Sequence, residues 1–401
     1  MPKVSVLPCE IPSTAACPEG RVKILFDVRE ASRNVTGIGT YVRSLAREVP
    51  LYQDPEVVCK CVPASTGPPP RRGVSSLAVQ AIHFLRNVTW KQVLLPALAS
   101  RETADVLVCM DPLCPLACPT RTAVVIYDLI FLTTGAQSDA WTRYWGAMVP
   151  RCARKADLIF TLSQASKAQI TVRLGVPPEK VVVFHTGVAD HFRPLAGEAK
   201  ERENERRSLG LPQSYILSVG AHDPRRNVKV LLEAYRKLRA EGPVEQKLVV
   251  VGPKTAYFQE VRRTTRSLGL EADVLYLDYV PNEELPTYYG LADLYVYPSS
   301  EEGFGLTPLE AMACGCPVVT SRASSLPEVV GDAAILVDPT DADELAGAMG
   351  RVLSDPDVRG SLIQKGEKRA KEFSWRAGVE DIVKACVNLF ERSAPHRVTS
   401  G

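Results

Sequence analysis

Two glutamates, Glu302 and Glu310, stand with seven residues between them in the stretch Glu301-Glu302-Gly303-Phe304-Gly305-Leu306-Thr307-Pro308-Leu309-Glu310. Part of the pattern has a local explanation, because Thr307, Pro308 and Glu310 fall at the N-cap, N1 and N3 positions of a capping box. That accounts for Glu310. It leaves Glu302 unexplained, together with Gly303 and Gly305, whose missing side chains would bare backbone N–H groups at a helix start, where anions bind. A carboxylate accepts hydrogen bonds from vicinal hydroxyls with good geometry, so a sugar and a ribose would occupy both acids at once.

A second polar cluster is Gly220-Ala221-His222-Asp223-Pro224-Arg225-Arg226-Asn227. Two guanidiniums beside a helix start bind a diphosphate and stabilise it as a leaving group, because the charge on the phosphate grows as the bond to it breaks. Alone, the cluster would be a solvated basic turn. Beside Glu302 and Glu310 it reads as the phosphate end of the same site.

Both clusters need strands to hold them. Val22 to Asp27 reads as a buried strand, followed by a loop ending in Gly37-Ile38-Gly39 and a helical pattern from Tyr41 to Ala46. Apolar runs of strand length recur at Ala104 to Val108, Ala123 to Tyr127, Leu158 to Leu162 and Val181 to Phe184. The composition turns charged and polar between Gly187 and Pro212, and then the pattern restarts at Tyr215 to Val219. Later strands are expected at Leu248 to Val251, Val274 to Leu277, Leu294 to Tyr297, Pro317 to Thr320 and Ala334 to Val337, with helices between them. Alternation of this kind gives parallel sheets with crossover helices, whose ligands sit beyond the carboxyl ends of the strands. The expected class is therefore α/β, with two Rossmann-like domains facing an interdomain cleft. The expected divisions are a flexible extension at 1–20, a first domain at 21–190, a linker at 191–212, a second domain at 213–375 and a C-terminal helix at 376–393.

Composition sets limits on partners. A chain of 401 residues exceeds what one hydrophobic core supports. With 48 basic against 46 acidic residues the chain has no nucleic-acid footprint. The first twenty residues hold no apolar leader, so the eleven cysteines are expected to be reduced thiols in a cytoplasmic protein. Cys109, Cys114 and Cys118 lack paired zinc-site spacing, and Cys59, Cys61, Cys314 and Cys316 read as small buried hydrophobes. The longest apolar run, Ala123 to Leu132, is interrupted by Asp128 and too short to span a bilayer.

The order Ser218-Val219-Gly220, Pro224-Arg225-Arg226-Asn227, Pro298 to Leu306, Glu310 to Val319 and Leu326-Pro327-Glu328-Val329 resembles the retaining glycosyltransferases of family 4, with the GT-B fold. The likeness runs from about Arg21 to Phe390. It implies a donor site in which Glu302, the amides of Gly303, Phe304 and Gly305, and Leu306 meet the donor, and Glu310 holds the ribose. It also implies that Arg225, Arg226 and Gly220 hold the diphosphate, that the backbone near Val280 holds the base, and that Gly37 and Gly39 approach the diphosphate from the first domain. Gly37-Ile38-Gly39-Thr40-Tyr41 and Trp90-Lys91-Gln92-Val93-Leu94-Leu95-Pro96 point to the mannosyltransferase-like subgroup, so GDP-mannose is the first donor expected, followed by a UDP-hexose or a UDP-N-acetylhexosamine.

The implied reaction moves a hexose to a hydroxyl with retention and without a metal or other cofactor, with Glu302, Arg226, Asp128 and Tyr127 as the catalytic candidates. Asp341-Ala342-Asp343 and Asp355-Pro356-Asp357 match the D-x-D of metal-using enzymes but read as helix-flanking turns. Two departures matter: Tyr127 stands where many relatives carry a histidine before Asp128, and Ala221 stands where an arginine is common. They motivate an alternative, a sugar-nucleotide-binding protein impaired in transfer; a nucleotide-sugar epimerase lacks its expected acid and histidine signatures here. Acceptors considered are small molecules, glycans and lipid-linked sugars. Val79, Ile82, Phe84, Leu85, Val88 and Trp90 form an amphipathic face whose first reading is packing on its own domain and whose second is peripheral contact with a membrane. The oligomeric state has no signature in the sequence.

Overall fold

The apolar runs assemble into two parallel sheets, each of six strands. The structure, a computed structural model, describes residues 21–33, 37–62, 77–133, 140–184, 186–220, 222–242 and 244–392. The expected extension at 1–20, the Pro-rich segment around Pro68 and position Ala221 lie outside these residues. The chain divides into one unit made of 1–186 with 375–401 and a second made of 187–374. Among the described residues no helix is long and apolar enough to cross a membrane.

The first sheet contains β1 (Val22–Asp27), β2 (Val57–Val62), β3 (Val106–Cys109), β4 (Arg121–Val125), β5 (Leu158–Thr161) and β6 (Val181–Val183), in the order β2-β1-β3-β4-β5-β6. The second contains β7 (Tyr215–Val219), β8 (Lys247–Val251), β9 (Val274–Leu277), β10 (Leu294–Tyr297), β11 (Val318–Ser321) and β12 (Ile335–Val337), in the order β12-β11-β10-β7-β8-β9. The second order is that of the doubly wound dinucleotide-binding sheet, and the first is flavodoxin-like with one strand added. In each, the chain reverses its direction of winding at one crevice: between β1 and β3 in the first unit, and between β7 and β10 in the second.

Helices cover the sheets where the 3.6-residue period places apolar side chains on one face. In Val228–Glu241 the residues Leu231, Leu232, Tyr235 and Leu238 are buried against β7, β8 and β10 residues of the second core. The last helix, Trp375–Glu391, belongs to the first unit, where it buries Val379, Ile382, Val383 and Cys386 and sets Trp375 edge-on to Tyr41 at 5.7 Å.

Three local expectations change. β2 has no clear signature in the sequence because Cys59-Lys60-Cys61 breaks its apolar run; it is an edge strand, so its two cysteines are half-buried rather than core residues. Gly37 and Gly39 do not end a loop but form the first turn of the helix Gly37–Glu48, drawn into it by the buried series Tyr41, Val42 and Leu45. The face through Ile82 and Leu85 is not packed: these side chains are 57% and 65% exposed, while Phe84 lies edge-on to Tyr144 at 4.9 Å.

At the crevice of the first unit lies a buried ionic cluster. Asp27 ends β1, Asp111 follows β3, and Lys91 Nζ reaches both carboxylates, at 2.6 and 2.9 Å. Lys91 lies in a π-helical turn, Trp90–Leu94, which also brings the Trp90 indole N–H within 3.2 Å of Asp27. Burial alone would discharge the lysine, but Asp111 and Asp27 raise its pKa well above the usual ammonium range, so it stays protonated. Removing one partner of a buried ion pair leaves an uncompensated charge, so Lys91→Met should cost about 3–5 kcal/mol. Urea unfolding of the full chain, followed by the near-UV signal, should place the loss in the transition of the first unit.

Candidate functional site

At the β7–β10 crevice the second unit collects most of the residues singled out in the sequence. β7 delivers Gly220 and a short 3₁₀ turn, Pro224–Arg226, capped by Asp223, whose side chain accepts the Arg225 N–H. β10 delivers Pro298 to Gly305. The two connections are tied together: Ser300 N–H donates to the Arg225 carbonyl at 2.8 Å, and the Asn227 amide donates to the carbonyls of Pro298 and Pro339. Asn227 holds a left-handed φ of 51°, which an asparagine tolerates better than most residues.

Glu302 is the centre of this arrangement. Its Oε1 accepts from Arg225 Nη1 at 3.2 Å, from Tyr297 OH at 2.9 Å, from Ser299 Oγ at 2.6 Å and from Arg226 Nη1. The Arg226 guanidinium also lies over the Tyr297 ring, 5.0 Å from its centroid. Gly220 has φ 155°, a backbone conformation that side chains rarely adopt, and it lies in ordinary contact distance of Arg226.

The loop after Glu302 is oriented from behind. Ser324 Oγ donates to the Glu302 carbonyl at 2.6 Å, and the buried Ser325 hydroxyl contacts the carbonyls of Glu302 and Phe304 at 3.0 and 2.7 Å. In a trans peptide the N–H points opposite to the C=O, so the amides of Gly303 and Gly305 turn away from these serines together. Gly305 has φ 112°, and a Cβ there would fall 2.7 Å from Leu326 Cδ2, so both backbone and space require glycine. Phe304 is buried edge-on to Phe373.

The capping box is corrected. The helix runs Leu306–Ala313 with Gly305 at its N-cap, so Thr307 lies inside its first turn and Glu310 does not reach back to the cap. Glu310 is instead 4% exposed, and its Oε2 accepts a hydrogen bond from Tyr289 OH at 3.2 Å. Burial pushes its carboxyl up to about 8, against the opposing effect of the Tyr289 hydrogen bond.

The remaining candidates fall elsewhere. Val280 follows β9, at another carboxyl end of the second sheet, beside the exposed Tyr279. Gly37, Gly39, Tyr127 and Asp128 belong to the first unit. Asp128 accepts the Ile130 N–H. Tyr127 is buried, stacks on Tyr41 at 5.3 Å, and donates its hydroxyl to the Met110 carbonyl at 3.1 Å. Burial holds its pKa well above the usual phenol range. Its hydroxyl is thus directed at a carbonyl of its own unit. Asp341 and Asp355 each accept two backbone N–H groups as helix N-caps, which accounts for both acidic turns.

Sequence reasoning missed Tyr297, Ser299, Ser324 and Ser325, whose roles depend on which carbonyl or carboxylate they meet across the fold. It also missed His222, fully buried between Phe258 and Tyr276, with no hydrogen-bond partner for either ring nitrogen among the described residues. Burial and the nearby Lys254 lower its pKa, so it is held neutral.

Residues 35–192 match the family Glycosyltransferase Family 4, and residues 201–369 match Glycosyl transferases group 1. Among curated proteins, O-antigen chain mannosyltransferase B of Escherichia coli is 36% identical over 58% of this chain and 61% of its own. MMP alpha-(1->4)-mannosyltransferase of Mycolicibacterium hassiacum is 35% identical over 59% of this chain and 55% of its own. The chain thus spans little more than half the length of these two relatives. Among solved structures, HepE of Anabaena, in complex with UDP and glucose, superposes with a TM-score of 0.68 at 18% identity, covering 92% of this chain and 100% of that one. The two doubly wound units are those of the GT-B fold.

A carboxyl whose folded pKa is raised binds more protons when folded than when unfolded, between its ordinary value and its raised one. Glu310 therefore lowers stability progressively as pH rises from the ordinary carboxyl range to about 8, with no further loss above that. Glu310→Gln, which cannot ionise, should remove that contribution, so that the fall in Tm between about pH 6 and pH 9 shrinks by roughly 5 °C in calorimetry.

Proposed function

Because the chain belongs to the family 4 glycosyltransferases, carrying both domains of that family, we propose that it is a retaining hexosyltransferase acting on a nucleoside-diphosphate sugar. The observation that carries the proposal is the convergence of Arg225 and Arg226 on Glu302 at the β7–β10 crevice. Two permanent cations held at the carboxyl edge of a Rossmann-type sheet match a diphosphate in charge and geometry. A carboxylate beside them matches the hydroxyls of the attached sugar, and Glu310 lies farther along the helix to take the ribose.

In the reaction the anomeric carbon exchanges one oxygen for another on the same face. The C–O bond to the diphosphate breaks, its electron pair leaves with the phosphate, and the acceptor oxygen bonds to the carbon. The acceptor proton passes to the departing phosphate oxygen. Arg225 and Arg226 stabilise the charge that grows on that oxygen, the Gly303 to Gly305 turn orients the donor, and Glu302 favours the cationic character of the sugar ring. In this scheme the guanidiniums supply the positive charge that a divalent metal supplies elsewhere.

GDP-mannose is the first donor we propose, supported by two relatives named as mannosyltransferases. A UDP-hexose is second, supported by the UDP and glucose held in the HepE complex. The acceptor is proposed as a hydroxyl of a glycan or a lipid-linked sugar. Ile82, Phe84, Leu85, Val93 and Leu94, exposed on one helical segment of the first unit, favour the lipid-linked class and a peripheral membrane contact.

The second reading, a binding protein impaired in transfer, rests on the commitment of the Tyr127 hydroxyl to Met110. A panel of sugar nucleotides and acceptors, read by release of nucleoside diphosphate, separates the two. The enzyme should turn over, and Glu302→Ala and Arg226→Ala should each lower kcat about 10²–10³-fold. Tight donor binding with no release for any acceptor would instead assign the binding protein.

A further inference from the structure

Every hydrogen bond to the Glu302 side chain falls on one oxygen. Arg225 Nη1, Arg226 Nη1, Tyr297 OH and Ser299 Oγ all address Oε1, and Oε2 accepts from no described residue. A carboxylate oxygen offers about two lone-pair directions, so four donors more than saturate Oε1. The carboxylate is 10% exposed, and whatever meets it from outside meets Oε2.

The two neutral donors are rigidly mounted. Tyr297 is the last residue of β10, 3% exposed, with its ring stacked on Tyr295 at 5.9 Å. Ser299 is fully buried, and its hydroxyl lies closer to Glu302, at 2.6 Å, than to the carbonyls of Arg225 and Glu301, at 3.2 and 3.4 Å. The arginines differ in that an arriving diphosphate competes for them. When they turn toward phosphate, Tyr297 and Ser299 are the donors left to keep Oε1 in place.

Building on the transfer reading above, we propose that Tyr297 and Ser299 are positioning residues that anchor Glu302 through Oε1 and present Oε2 alone to the hydroxyls of the transferred sugar. A carboxylate pinned by one oxygen cannot swing about its Cγ–Cδ bond. The remaining lone pairs then meet a hydroxyl at one angle, which discriminates between sugars that differ in the configuration of a single carbon. Tyr297 has a second task through its ring, which supports the Arg226 guanidinium independently of the hydroxyl.

The two tasks separate by substitution. Tyr297→Phe removes the hydrogen bond and keeps the ring; Ser299→Ala removes the other anchor; Tyr297→Leu removes bond and ring together. Calorimetric titrations should compare GDP-mannose with GDP and UDP-glucose with UDP, on variants whose thermal unfolding matches the wild type. The pair in which the sugar adds affinity is the informative one. Tyr297→Phe and Ser299→Ala should weaken sugar-nucleotide binding about tenfold and leave nucleoside diphosphate binding within about twofold, as expected for loss of a charge-assisted hydrogen bond to one end of the ligand. Tyr297→Leu should weaken both.

Equal losses for the sugar nucleotide and the free diphosphate in Tyr297→Phe would overturn the proposal, because a merely structural tyrosine loosens the whole crevice. So would unchanged binding of both, or a wild-type protein that gains no affinity from the sugar in either pair. Failure of the transfer reading looks different: the wild type binds the sugar nucleotide more tightly than the diphosphate and releases no product, while the binding comparison still reports on Tyr297 and Ser299.

Discussion

Two guanidiniums and one carboxylate share a crevice where the second sheet reverses its winding, and most of the surrounding structure serves to keep them there. Like charges on consecutive residues repel, so Arg225 and Arg226 need an anion between them when no ligand is bound. Glu302 supplies it. The cost of holding three charged groups partly out of water is offset by the donors from Tyr297 and Ser299 and by the ring beneath Arg226. The glycines on either side allow the turns that bring these residues together: Gly220 takes φ 155°, and Gly305 lets the chain turn into its helix under Leu326.

The first unit meets the same topological problem with the opposite charge arrangement. Its crevice between β1 and β3 holds two carboxylates and one lysine, all buried, and therefore closed to a charged ligand. Lys91 is threaded into place by a π-helical turn, a feature found often where a helix must deliver a side chain off its regular register. One crevice leaves its charges partly exposed and the other buries them.

Much of this was legible in the residues, and the misses have identifiable causes. The strands of continuous Val, Ile and Leu were visible because parallel strands are buried on both faces. β2 was hidden by Lys60, which an edge strand accommodates by pairing it with Glu102 at 2.7 Å. The capping box around Thr307 was a sound local pattern that lost to tertiary packing, since burying Glu310 against Tyr289 moved the helix start to Leu306. Tyr127 reads equally as a site residue or a core residue, and its hydroxyl partner Met110, seventeen positions away, is one that no local pattern supplies. His222 carried no signal, because the aromatic rings that bury it arrive from two other elements.

The sequence by itself determined the alternation of strands and helices, the two glycine turns, and the presence of two acids and two arginines at strand ends, because periodicity and local chemistry act over a few residues. Only the tertiary structure decided which oxygen of Glu302 is occupied, that Glu310 is buried with its proton held to about pH 8, and that Lys91 joins Asp27 to Asp111. Those outcomes rest on contacts between residues as far as 77 positions apart, or on desolvation that no single segment produces. Their energies depend on distance and dielectric, and neither exists until the chain has folded.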